Sequence, residues 1–131
     1  MIELTKNPIS PEQIINSLAK DSLGAYITFV GTVRNTSQDG NKVTHLLIEP
    51  SGENAEIKLR EIATEISNKW GIQEQNIAIS RRTGKLKVGE IALVLVVAAA
   101  HRQEAFEACQ YAVDRIKQGH ITKEKDLYEP E

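Results

Sequence analysis

Ten consecutive residues from Ile91 to Ala100, IALVLVVAAA, carry no polar side chain. A strand with one wet face alternates apolar and polar residues, so an unbroken run of this kind predicts a central strand covered on both faces. The run is about half of the roughly 20 apolar residues needed to cross a bilayer. The rest of the chain must therefore supply two covering layers. At 131 residues it has material for one core, and a single domain over 1–131 is expected. Hydrophobic residues at 40% and charged residues at 26% suit a folded globular chain rather than a disordered one.

The other segments read as those layers. Ser10-Pro11-Glu12-Gln13 combines a capping residue, a proline suited to the first helical position and a capping-box glutamine, and predicts a helix ending near Asp21. Gly24 to Val33 is rich in β-branched and aromatic residues and reads as a strand. Its interior Gly31 marks a bulge or a close approach to the backbone. A polar loop, Arg34 to Asn41, leads to a returning strand from Val43 to Glu49, and the two strands are expected to form a long hairpin. Helical spacing from about Asn54 to Trp70 stops at Gly71, where a C-terminal cap belongs. Asn76 to Arg82 and Glu90 to Ala99 are strands joined by a structured loop, Thr83 to Gly89. A last helix spans about Arg102 to Gln118, and the tail from 120 to 131 has no periodicity and is expected to be irregular. The order αββαββα makes an α+β sandwich the natural fold, with a largely antiparallel sheet and helices packed on it.

Several functions are excluded early. The net charge of −2 and pI of about 6.0 speak against a general nucleic-acid binder. The N-terminal residues lack a basic-then-apolar signal, so a cytoplasmic protein away from membranes is expected. The sequence holds no Gly-rich phosphate loop, HExxH or Gly-x-Ser-x-Gly motif. The single cysteine, Cys109, excludes an internal disulfide or a multi-cysteine zinc site, and its place on the apolar side of a helix reads as a small buried hydrophobe.

The remaining candidates are cationic. His101-Arg102 falls where the apolar strand gives way to a helix, a position that either binds an anion or merely marks the strand's end. Arg34 follows a strand and fits either a site or a solvated loop. Lys117, in the last helical turn, is explained by the helix dipole alone. Lys123 and Lys125 lie in a mixed-charge tail, and Arg81-Arg82 ends a strand with the same ambiguity. Gathered into one pocket, Arg34, His101, Arg102, Lys117 and Lys123 would suit a phosphorylated small molecule. A lysine among other cations is also easier to deprotonate. A non-catalytic module binding a nucleotide or another anion would use the same pocket.

Three segments together resemble the large, catalytic subunit of molybdopterin synthase. They are Gly24-Ala25 through Phe29-Val30-Gly31-Thr32-Val33-Arg34-Asn35; Arg82-Thr83-Gly84-Lys85-Leu86 with Val88-Gly89-Glu90; and Ala100-His101-Arg102 with Ala105-Phe106-Glu107-Ala108, ending at Lys117. The resemblance spans residues 5 to 125 or so. It implies an α/β-hammerhead-like fold and a sulfurtransferase of molybdenum-cofactor biosynthesis. In that family a small ubiquitin-like carrier inserts a Gly-Gly C-terminus bearing a thiocarboxylate, and two sulfurs pass to cyclic pyranopterin monophosphate to make the dithiolene. The resemblance further implies a homodimer within a heterotetramer, and it calls for no cofactor and no metal. Arg34, His101 and Arg102 match the family's substrate-binding residues, and Lys117 matches its central lysine. The family's second lysine matches Lys123, with Lys125 the alternative, because the segment Gly119 to Lys123 is about one residue short and lacks the usual proline and tryptophan. The family often has histidine where Arg81 stands. The segment from Gly119 to Lys125 is then expected to be a wall of the channel that receives the Gly-Gly tail, loosely ordered or held by a neighbouring chain when no carrier is bound.

Overall fold

The apolar run becomes β6 (Ile91–Ala99), an inner strand of a four-stranded sheet. The structure, a computed structural model, describes residues 1–128. β6 lies antiparallel between β4 (Ile77–Arg82) and β2 (Ala25–Thr32), and β1 (Ile2–Thr5) runs parallel along the outer side of β4. Alternation sends Leu93, Leu95, Val97 and Ala99 to one face, where they pack with α2 (Ala55–Trp70) and α3 (Arg102–Gln118). Val94 and Val96 take the other face with Ile14 and Leu18, on and just after α1 (Pro11–Ser17). Covering both faces is what makes the unbroken run favourable, since each fully buried Val or Leu contributes roughly 1.5–3 kcal/mol.

The helix boundaries follow their caps. Ser10 accepts a hydrogen bond from the Gln13 backbone N–H, with Pro11 in the first turn. Gly71 closes α2 in the left-handed conformation at φ 70°. α3 ends at Gly119, and the reversal that follows falls on His120, a non-glycine residue at φ 48°.

A second sheet of three antiparallel strands has the order β5-β3-β7, with β3 (Val43–Pro50) between β5 (Gly84–Lys87) and β7 (Thr122–Tyr128). The α+β class therefore holds, and four details depart from expectation. The hairpin of β2 and β3 survives only near its tip, in the Thr36–Lys42 bridge and the bond from Val43 N to Asn35 O. The register between β2 and β6 slips where Gly31 faces Leu93 and Thr32 faces Ile91, which leaves Ala92 of β6 as the extra residue; β2 ends there, and β3 pairs in the second sheet. The loop Thr83 to Gly89 contains β5, which crosses to that same sheet. β1 went unforeseen because four residues are too few to show a period. The tail expected to be irregular over 120–131 is a paired strand from Thr122 to Tyr128, and residues 129–131 lie outside the described residues. Among the described residues, no helix is long and apolar enough to cross a membrane.

Candidate functional site

Where the two sheets diverge they leave a cleft of about 820 Å³. Its walls include Phe29 and Gly31 on β2, Leu46 on β3, Leu93 on β6, and Glu124, Asp126 and Tyr128 on β7. Arg34 and Lys117 both line it. Arg34 is held at the rim because buried Val33 is tied on both sides, its N–H donating to Glu90 O at 3.0 Å and its carbonyl accepting from Gly89 N at 2.9 Å. Lys117 arrives from the last turn of α3, exposed. Among the described residues neither has a hydrogen-bond or ion-pair partner.

Arg81 reaches the same cleft from β4. It is buried, and its Nη2 donates to Thr122 Oγ1 at 3.2 Å and pairs with the Glu124 carboxylate. Sequence left its role ambiguous. In the sequence Arg81 only ends a strand; in the structure it lies opposite Leu93 in the interior of a sheet, where a charge must find a partner. The partner, Glu124, was hidden in the polar tail. The cleft lining thus sets the basic Arg34, Arg81 and Lys117 against the acidic Asp39, Glu124 and Asp126. This corrects the expectation of a pocket with a simple cationic excess.

The five expected residues do not meet within one chain. His101 occupies the N-cap position of α3 without a side-chain capping bond and Arg102 opens the helix, both exposed and away from the cleft. From Arg102 to Lys117 the helix rises roughly 22 Å, at about 1.5 Å per residue. Lys123 is absent from the cleft lining too. Alternation along β7 turns Glu124 and Asp126 inward, which leaves Lys123 and Lys125 exposed on the outer face beside their cross-strand neighbours Glu49 and Leu47. The channel-wall segment is likewise corrected from Thr122 onward: it is an edge strand held by β3. The polar inward positions disguised it, because the face that should have been apolar looks onto a wet cleft.

Cys109 lies buried in the α3 face of the core, and burial pushes its thiol up to about 11. A thiol so placed is neither a nucleophile nor a sulfur carrier at neutral pH.

Comparison with known proteins agrees over nearly the whole chain. The family model described as "MoaE protein" matches residues 4–119. The chain is 38% identical to a molybdopterin synthase catalytic subunit of Thermoplasma volcanium, over 98% of this chain and 91% of that protein. It is 39% identical to one of Bacillus subtilis, over 97% of this chain and 79% of that one. The crystal structure of molybdopterin synthase from Staphylococcus aureus superposes with a TM-score of 0.88 at 32% identity, covering 99% of this chain and 93% of the other.

Proposed function

Because this chain belongs to the MoaE protein family, the catalytic subunits of molybdopterin synthase, we propose that it moves sulfur from the C-terminal thiocarboxylate of a small ubiquitin-like carrier to cyclic pyranopterin monophosphate. The product is the dithiolene of molybdopterin. The observation that carries the proposal is that Lys117 and Arg34 line one open cleft while the only cysteine is buried. A protein with no usable thiol must receive its sulfur on a partner. Lys117, at the helix end and without a partner among the described residues, is the group that acts on the carrier's acyl carbon or on the pterin. Arg34 holds the anionic substrate through charge-assisted hydrogen bonds. A Gly-Gly tail suits the approach, since glycines let two backbones come closest.

His101 and Arg102 enter this scheme from a second copy of the chain. A helix separation of roughly 22 Å keeps them from their own cleft, and a homodimer would bring one α3 start toward the other subunit's site. Lys123, on the outer face of β7, is left with a supporting part in carrier docking. A cytoplasmic location belongs to the same proposal. The test is to mix the chain with a thiocarboxylated carrier and the cyclic pterin and assay for dithiolene. Product should form with the native chain and largely vanish with Lys117→Ala. Absence of product with the native chain sinks the proposed reaction.

A further inference from the structure

Arg81 is 7% exposed, yet its guanidinium is incompletely used. Nη2 has Thr122 Oγ1 and the Glu124 carboxylate, Nη1 reaches Ala92 O only at 3.5 Å, and Nε has no partner among the described residues. An unpartnered buried donor is costly, and native structures contain few of them. If Arg81 and Glu124 served only to strap β4 to β7, both ends would be expected to close. Instead the Glu124 side chain is 50% exposed on the cleft that Arg34 and Lys117 also line, neither of which has a partner among the described residues.

From this we infer that Arg81 is an anion-binding residue of the cleft and that Glu124 occupies it only until a phosphate group arrives. A phosphate presents more acceptor oxygens and more charge than one carboxylate. It can take the Nε–Nη2 edge of the guanidinium in the two-bond geometry that arginine favours, which satisfies the idle Nε. Displaced, Glu124 has open solvent to enter, and Thr122 keeps β7 tied to Arg81. Glu124 is therefore an internal competitor that sets a threshold for anions, and an anion that fails to use both nitrogens gains little by displacing it. The inference rests on the proposed function only for naming the pterin's phosphate as the natural anion.

The probe is inorganic phosphate titrated into the full-length chain, followed through the arginine Nε–Hε resonances and the backbone amides. In the native chain the Arg81 Nε–Hε signal should move downfield as phosphate binds. Glu124→Gln, which keeps shape and removes the competing charge, should tighten phosphate binding by about tenfold, the scale of one charge-assisted hydrogen bond. Asp126→Asn removes the same charge from the same lining without freeing Arg81, and should give a clearly smaller gain. Arg81→Lys keeps the charge and loses the two-bond edge, so the gain from Glu124→Gln should disappear in that background.

Equal gains from Glu124→Gln and Asp126→Asn would overturn the inference, as would a Glu124→Gln gain that persists in the Arg81→Lys background. An Arg81 Nε–Hε signal that ignores phosphate overturns it as well. Failure here with dithiolene still produced leaves the sulfur transfer standing. Phosphate exchange at Arg81 with no dithiolene overturns the reaction and leaves the anion site.

Discussion

A lysine in the last turn of a helix gains about 0.3–1 kcal/mol from the helix dipole, so Lys117 would be tolerated at its position without any chemical role. Its place on the cleft that Arg34 also lines, with no partner among the described residues, is what separates it from a decorative charge. Lys117→Ala is expected to shift the melting temperature by only a few degrees while removing most turnover, and a folded variant with normal turnover would contradict the assignment. Lys123→Ala is expected to cost far less turnover than Lys117→Ala, because its side chain faces away from the cleft. Equal losses measured in parallel would mean that β7 rearranges when the carrier binds. Cys109 gives a third expectation at this scale. With its thiol pushed up to about 11 by burial, the native chain should resist alkylation at about pH 8, and Cys109→Ala should retain turnover. Rapid labelling of the folded protein would show that the core around α3 opens.

At the scale of elements, α2 and α3 are clamped to each other as well as to the sheet. Glu65 on α2 receives Arg115 Nε at 2.8 Å and Nη2 at 3.0 Å, and the Tyr111 hydroxyl donates to the same carboxylate. Tyr111 also meets Trp70 edge-on at 5.4 Å, and the Trp70 indole N–H donates to Glu107 at 3.1 Å. The hydrogen bonds from Arg115, and then Tyr111, hold the Glu65 carboxyl below its usual 4.5. A carboxylate with a depressed folded value stabilises the protein above its unfolded value, and the contribution is lost as the pH falls through the depressed one. Because the pair is about a third exposed, Glu65→Gln should cost only ~0.2–1 kcal/mol at about pH 7. Urea melts should show that deficit shrinking as the pH drops below 4.5, and a pH-independent deficit would assign the loss to packing. The turn into β7 has its own signature. His120 sits at φ 48°, where a side chain carries a penalty. His120→Gly should be neutral or slightly stabilising, whereas His120→Val should cost about 1–2 kcal/mol in the same melts.

For the molecule as a whole, the distance between the ends of α3 makes oligomer composition testable through activity. If His101 and Arg102 of one copy complete the cleft of another, Arg102→Ala and Lys117→Ala are each inactive alone. A refolded mixture of the two should recover a fraction of native turnover, since some mixed dimers then contain one intact site. No recovery, with mixed dimers demonstrated, would place Arg102 outside the site. Arg102→Lys should in turn weaken pterin binding in a direct titration while the carrier still docks.

Much of this was written in local pattern. The unbroken run from Ile91 announced a strand covered on both faces; the spacing from Arg102 to Gln118 marked the last helix; Cys109 showed as core; and three short motifs carried the family. These features are legible because each depends on the periodicity or identity of neighbouring residues. What only the tertiary structure decided was which strands pair and which way their side chains then face. β2 and β3 are adjacent in sequence yet join different sheets: β2 ends at the register slip opposite Ala92, and β3 pairs with β5 and β7. That choice turned Glu124 to the cleft and Lys123 away from it. In a strand, neighbouring residues point to opposite faces, so a one-residue difference in register exchanges a site residue for a surface residue. The burial of Arg81 against a carboxylate 43 residues further along has the same origin: an inner strand of one sheet met the edge strand of the other, and no stretch of sequence around either residue records the meeting.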